Sequence, residues 1–548
     1  MCGIFGALLK KTEKKTGKKI NKTFYDEFQR IKHRGPNNSK FFALNNLGIE
    51  LGFQRLSIND LTSAGDQPFE YECKERTIYV MCNGEIYNHK EIEKKYDLHT
   101  ESKSDCEVIL KMFKKFGEKS IEMMSKEFNS EHAFAVFDIN TNTNDYSLYL
   151  SNDRFGIRPL FIGTNSDGFF FASELKALPQ NCNIKRFKPR NYGKITKTNG
   201  ELGQLKYTEY YNLNDIKTSI YDYETAFPKI VDSLTNAVKI RLESDQPIGC
   251  LLSGGVDSSL ICALAQKELS KQNKKLQTFS IGMPNSSDKE YAIMVAEHIG
   301  SVHTHVELDE SVFLKAIPEV IQTIESFDIT TVRASVAQYL IGKWISENTD
   351  IKVLGVGEMS DELNGSYLYF KNAPSEDAFQ NECIRLMNDI HFFDVIRCDR
   401  CISRHGIEVR VPFADVNYIN ETLSCATKLR LPQNGVEKFM LRKAFEKTNL
   451  LPKEVLWREK CAQSDGISSS KRSWYEIIQD NIKDDDYNPS EYSYLQPISK
   501  EAYFYRKLFC EFYGDNNSTV IPYFWLPKWC GNVTNPSARV LDVCLEMK

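Results

Sequence analysis

The sequence predicts two folds in tandem: an α+β domain with a largely antiparallel sheet, then an α/β domain with a parallel sheet and a helical C-terminal part. Three observations carry this. Short β-like runs with polar alternation fill the chain to about Leu178, strand-like and helix-like runs alternate beyond Glu224, and helical patterns dominate from about Tyr367. A chain of 548 residues is too long for one hydrophobic core and implies two or three domains.

In the first half the strand candidates are GIFGALL, GIELGFQRLSI, TIYVMCNGEIYN, AFAVFDI, YSLYLS, PLFIG and GFFFASE. Aromatic and β-branched residues alternate in them with polar ones, and Asn, Asp and Gly mark the joins. Helical patterns interrupt at FYDEFQRIKH and SDCEVILKMFKKFG. The stretch from Asn181 to Asp215 reads as polar and turn-rich, and the domain boundary is expected in or just after it, giving domains of 1–205 and 206–548. Then follow a buried strand QPIGCLLSGG, a helix DSSLICALAQKEL, a strand LQTFSIG, a helix YAIMVAEHIG, a strand THVEL, a helix SVFLKAIPEVIQTIE and a strand DIKVLGVG. That alternation predicts right-handed crossovers over a parallel sheet. The lysine-rich KKTEKKTGKK near the start reads as a solvated loop.

Composition excludes several functions. Seventy basic and 74 acidic side chains give a net charge of −4, which offers no basic field for nucleic acid. The apolar stretch Gly3 to Leu9 is short for a signal core, and position 2 is Cys where myristoylation needs Gly. No membrane association is expected. Fifteen irregularly spaced cysteines suggest reduced thiols. The CxxC pair Cys398 and Cys401 has no partner motif for zinc and reads as helix-borne thiols.

The most specific string is LLSGGVDSS, residues 251–259. A strand ends at Ser253, Gly254 and Gly255 permit a tight turn, and a helix begins near Asp257 or Ser258. Unpaired amides at such a turn suit a phosphate or pyrophosphate. No Lys stands in a GKS setting, so this is not the P-loop pattern. VGEMSDE, residues 356–362, gathers Glu358, Asp361 and Glu362 after another strand, where open α/β sheets bind ligands. With Asp257 these carboxylates suit Mg²⁺, which prefers few carboxylates plus phosphate oxygens.

Cys2 stands directly behind the initiator methionine. Methionine before a small residue is commonly removed, and Cys2 would then carry both thiol and free α-amine. An amine titrating near ~8 can take the proton of a thiol near ~8.5, so no separate base is needed.

MCGIFG, HRGP, QRLSI, NGEIYN, SDCEVIL and FASELKAL together resemble the class-two glutamine amidotransferases, which are N-terminal-nucleophile hydrolases of αββα-sandwich fold. LLSGGVDSS resembles the loop of the N-type ATP pyrophosphatases. With VGEMSDE, TTVRAS, GIEVRVPF, EKFMLRKAF and REKCAQSDG, in this order, the chain resembles the glutamine-hydrolysing asparagine synthetases over nearly its whole length. The resemblance implies roles by position. Cys2 is the nucleophile that forms a thioester, and Asn83 with the Gly84 amide is its oxyanion hole. Arg55 would hold the glutamine carboxylate, Glu85 and Asp105 its ammonium, and Arg34 would lie toward the ammonia route. Leu252, Ser253, Gly254, Gly255, Asp257, Ser258, Ile281, Val356, Gly357 and Asp361 would hold ATP, with Mg²⁺ at Asp257 and Asp361. Lys460 would meet the leaving pyrophosphate. Aspartate would become β-aspartyl-adenylate, and ammonia would displace AMP. Glu358 would accept the ammonia proton, and Arg333 and Arg410 would stand around that site. Because ammonia is protonated in water, an internal channel at the domain interface is expected.

Departures from the family pattern are Val356 and Met359, where SGEGSDE is frequent, Asn37 after HRGP, a missing glycine before AFAVFD, and Asn535 in NPSARVL. Asn535 is expected to lie far from the core motifs, and no departure removes a catalytic group. The rival readings are a related ligase acting on another carboxylate and a scaffold that has lost activity. Family resemblance further implies a cytosolic homodimer.

Overall fold

The computed structural model describes residues 1–11, 20–460, 463–469, 471–482 and 487–540. Residues 12–19 of the expected lysine-rich loop, and Cys461 and Ala462 of REKCAQSDG, lie outside the described residues. The chain divides into two compact units. The first comprises 1–212 with the short segments 244–246 and 403–408; the second comprises the remainder.

The first unit runs β1 (Gly3–Leu9), α1 (Lys22–Gln29), β2 (Asn38–Leu44), β3 (Ile49–Arg55), β4 (Phe69–Cys73), β5 (Arg76–Ile86), α2 (His89–Tyr96), α3 (Glu107–Phe116), α4 (Lys119–Glu127), β6 (Ser130–Asn140), β7 (Tyr146–Asn152), β8 (Phe161–Thr164), β9 (Gly168–Ala172), β10 (Asn183–Arg186), β11 (Asn191–Thr198), β12 (Glu201–Leu202) and β13 (Lys206–Glu209). Two antiparallel sheets form, ordered β10-β8-β9-β1-β3-β2 and β12-β11-β7-β6-β5-β4, with β13 paired to β11.

Strand alternation explains the layering. Ile4, Leu8, Leu51 and Phe53 of the first sheet pack with Met81, Ala135, Phe137 and Leu150 of the second. The opposite face of the second sheet, Ile78, Val80 and Cys82, packs on Ile109, Met112, Phe113 and Met124 of α3 and α4. On the outer face of the first sheet, Phe28 of α1 meets Phe5 and Phe41. The result is the αββα sandwich that the resemblance implied. The stretch from Asn181 to Asp215, polar in sequence, is not mainly turns: it supplies β10 to β13. Residues of β11 alternate between buried and half-buried, so a strand covered on one face passes for polar linker. Lys206–Glu209, placed by the expectation in the second domain, pairs with β11 inside the first unit.

The second unit contains α5 (Tyr223–Ile240), β14 (Ile248–Leu251), α6 (Val256–Ser270), β15 (Gln277–Gly282), α7 (Lys289–Ile299), β16 (Val302–Glu307), α8 (Glu310–Ile324), α9 (Ile329–Asn348), β17 (Val353–Gly355), α10 (Ser360–Asn364), α11 (Glu376–Asp389), and all but the end residues Ser403 and Glu408 of α12 (Asp394–Ser403) and β18 (Glu408–Arg410), with further helices beyond. The sheet order is β16-β15-β14-β17-β18. β14 runs parallel to both β15 and β17, and β15 to β16. Cys398 and Cys401 lie on α12 as buried thiols, donating to the carbonyls of Val395 and Ser335. Among the described residues no helix is long and apolar enough to cross a membrane.

Candidate active sites

In the first unit Cys2 precedes β1 and is almost fully buried. Its backbone N–H donates to Asn83 Oδ1 at 2.9 Å, and its thiol points to the Leu56 carbonyl at 3.8 Å. Because the Asn83 carbonyl oxygen is held this way, Nδ2 turns elsewhere, and it is buried without a hydrogen-bond partner among the described residues. Burial pushes the Cys2 thiol up, with the Met1 ammonium and the Leu56 backbone opposing. That ammonium sits 3.2 Å from Glu408 Oε2. Gly84 follows on β5, packed so tightly against β6 that a Cβ would come 2.2 Å from the Glu131 carbonyl oxygen.

Arg34 is fully buried. It donates to the Cys2 carbonyl at 2.9 Å, to Glu174 Oε1 at 2.8 Å and to Ser403 Oγ at 3.0 Å. Its visible task is therefore to fix the backbone of Cys2. Arg55 donates to the Thr62 carbonyl and to Asp66 Oδ1, both at 2.6 Å, and also to the Asp60 carbonyl. Glu85 Oε2 accepts from Asn59 Nδ2 at 2.7 Å, and Asp105 Oδ1 from the same amide at 3.4 Å. Asp105 Oδ2 accepts the Ile86 N–H at 2.7 Å. Asn59 and Asp60 thus tie Arg55, Glu85 and Asp105 together. Sequence reasoning missed this pair, although it directly follows QRLSI.

In the second unit a cleft opens at the C-terminal ends of β14 and β17. Ser253, Gly255, Asp257, Ser258, Gln338, Gly357, Glu358, Asp361, Arg397, Arg458 and Lys460 line it. Ser253 and Ser258 hydroxyls meet at 2.9 Å, and Ser258 Oγ also accepts the Ser253 N–H. Gly254 has φ of +76°, and a Cβ there would come 2.6 Å from Tyr291 Cβ. Only glycine meets both demands. At Gly357 a Cβ would come 2.8 Å from the Ser258 nitrogen, so this glycine lets the acidic loop approach the start of α6.

Charge is concentrated here. Lys438 donates to Asp257 Oδ2 at 2.5 Å and also to Asp361 Oδ1, while Lys460 donates to Asp361 Oδ2 at 2.5 Å. Asp257 Oδ1 accepts from Ser360 Oγ at 2.6 Å. Burial alone would raise Asp361, but the two ammonium groups outweigh it and hold the carboxyl well below the usual range. Burial would lower Lys460, and Asp361 with Asp257 reverse that. Arg458 stacks 3.8 Å from the Tyr291 ring centre and donates to the Gly254 carbonyl at 3.1 Å. Neither Lys438 nor Arg458 was singled out, though each stands inside a quoted motif. Glu358 is raised by burial, with Arg397 and a hydrogen bond from Gln338 opposing.

Several expected residues sit elsewhere. Leu251 lines the cleft rather than Leu252, which is buried with its N–H on the Phe279 carbonyl at 2.8 Å. Ile281 is half-buried near the end of β15. Val356 is buried and donates its N–H to the Arg410 carbonyl at 3.1 Å. The Arg410 side chain holds the carbonyls of Arg241 and Glu243 at 2.9 and 2.6 Å. Arg333 is not brought to the cleft lining: it forms a two-point ion pair with Glu501 at 2.7 and 2.6 Å. Asn535, expected far from the motifs, accepts from Arg333 at 2.9 Å. Linear distance misled there, because the C-terminal segment folds back on α9.

Comparison with known proteins finds a family match in each half of the chain. Residues 1–196 match the family model described as a glutamine amidotransferase domain, and 229–377 with 371–532 match the one described as asparagine synthase. Similar proteins include the "Asparagine synthetase [glutamine-hydrolyzing]" of Homo sapiens, 39% identical over 93% of this chain and 94% of that protein. Those of Rattus norvegicus, at 40%, and Gallus gallus, at 38%, cover the same shares.

Proposed function

The chain belongs to the family of glutamine-hydrolysing asparagine synthetases, and from that premise we propose how its residues divide the work. The reaction is a ligation: ATP, aspartate, glutamine and water give AMP, pyrophosphate, asparagine and glutamate.

In the first unit excision of Met1 frees the Cys2 amine, which takes the thiol proton and activates sulfur for attack on the glutamine carboxamide. The observation that carries this reading is the unpartnered Asn83 Nδ2. A buried donor without a partner, one hydrogen bond away from the nucleophile's own backbone, suits a developing oxyanion. The Gly84 amide is the second donor. Arg55 exchanges its loop acceptors for the glutamine carboxylate, and Glu85 and Asp105 take the ammonium. Ammonia passes to the second unit by a route beginning near Arg34, without release to water.

In the second unit the Ser253–Ser258 loop holds the ATP phosphates, and Lys460 and Lys438 leave their carboxylates to follow the pyrophosphate. Leu251, which lines the cleft, and Ile281 near the end of β15 shape the nucleoside side. Asp257 and Asp361 fit Mg²⁺, because their oxygens converge on one point, shown by the Lys438 ammonium that bonds to both. Bound there with ATP, the ion would neutralise phosphate charge. Glu358, whose carboxylate burial makes a stronger base, receives the ammonia proton as nitrogen attacks the adenylate. Arg333 acts behind this site through α9. A homodimer in the cytosol is part of the proposal by family resemblance.

Product analysis with aspartate, glutamine and MgATP tests the whole. Cys2→Ala lowers glutamine-dependent synthesis at least about 10³-fold and leaves ammonia-dependent synthesis intact; loss of both activities would show Cys2 to be structural. Mass spectrometry of active enzyme with Met1 retained would remove the self-activated nucleophile.

A further inference from the structure

Gln338 lies on α9, is 1% exposed and lines the cleft beside Glu358. Its Nε2 donates to Glu358 Oε1. An amide facing an ionised carboxylate has to present N–H to it, which turns the other end of the amide away. That end, Oε1, is buried and has no hydrogen-bond partner among the described residues. Unsatisfied buried acceptors are rare and costly, so the working complex should supply an N–H donor at this point. The charged groups facing Glu358 come from α12, where Arg397 pairs with Asp394. Arg397 pairs through Nη1 with Asp394, and the Gln338 carbonyl oxygen remains an uncharged acceptor beside the base.

We propose that Gln338 orients the nitrogen nucleophile: Nε2 fixes the Glu358 carboxylate, and Oε1 accepts one N–H of incoming ammonia. The proposal rests on the reading of Glu358 as proton acceptor. With one N–H on Gln338 and another directed at Glu358, the nitrogen lone pair points away from both, toward the adenylate carbonyl. As the C–N bond forms, a proton moves from nitrogen to Glu358. The C–O bond to the phosphate then breaks, and AMP leaves with the electron pair.

The test uses the full chain with ammonium chloride as nitrogen source. Q338M keeps length and helix compatibility but loses both polar ends. It is expected to raise the KM for ammonia about tenfold, the worth of one hydrogen bond. The KM for aspartate and ATP–pyrophosphate exchange should not change, and exchange also reports that the variant is folded. The acid limb of the rate against free ammonia should move to higher pH, because Glu358 loses a donor that favours its ionised form. Q338E keeps the volume and should move that limb further in the same direction. An unchanged ammonia KM in Q338M, or a rise confined to the aspartate KM, overturns the proposal. E358Q separates the two readings: if it synthesises asparagine from ammonia at the normal rate, the base assignment fails. If it is inactive while Q338M behaves as wild type, only the role of Gln338 falls.

Discussion

The two units handle buried charge in opposite ways. Around Cys2 the backbone of the nucleophile is held by fixed partners: Asn83 on the Cys2 amide and Arg34 on its carbonyl. In the cleft of the second unit, ammonium groups stand on the carboxylates of Asp257 and Asp361. A covalent nucleophile needs one geometry held tightly, whereas a polyphosphate site needs charges that can change partners when the ligand arrives. A carboxylate outside the first unit's site extends the contrast. Glu50 in the first unit has one oxygen on the Asn21 N–H at 3.3 Å and the other without a partner among the described residues. Burial pushes it up to about 7, while Asp361 is held down.

Asp361→Asn gives the largest expected effect on this contrast. It removes the shared partner of Lys438 and Lys460, should abolish ATP–pyrophosphate exchange, and should cost about 3 kcal/mol in urea unfolding at pH 7. The sign in pH follows from the depressed folded-state pKa. The stabilisation is complete above the ordinary carboxylate range near ~4 and is lost as pH falls through the folded value. The mutant's stability should therefore flatten below about pH 4, and a parallel acid limb would sink the charge-pair account.

Glu50→Gln should act with the reverse sign and more weakly. A raised carboxyl binds its proton more tightly when folded, so stability falls as pH rises from near ~4.3 to about 7. Thermal unfolding at pH 8 should show the variant to be more stable than the parent, with the gap closing at pH 4. An equal gap at both values would show that Glu50 is not protonated by burial.

The smallest effect concerns backbone. Met359 has φ of +76° and is 1% exposed. Replacement by Gly loses the buried side chain as Ala does, but relieves the left-handed strain. Met359→Gly should therefore be about 1 kcal/mol more stable than Met359→Ala, the reverse of the order in an ordinary helix. Equal stabilities in urea would mean that the loop relaxes freely.

Much of the site was legible because it rests on local chemistry. The strand–turn–helix at Ser253 and the acidic loop after β17 each lie within one short string. The roles of Lys438, Asn59 and Gln338 were not legible, because each acts through a partner distant in sequence. Lys438 reaches Asp257 across 181 positions and Asp361 across 77. The polar stretch holding β10 to β13 was misread for a related reason: its strands become strands by pairing with distant neighbours.

What the sequence determined by itself was the order of the two folds, the thiol at position 2, the glycine turn and the carboxylates, since periodicity and residue type are local properties. Only the tertiary structure decided which charge stands on which. It put Asn535 on Arg333 and Arg333 on Glu501, and it gave Glu358 a buried amide for a neighbour. Hydrogen bonds act over about 3 Å, and only the packed chain brings such distant residues that close.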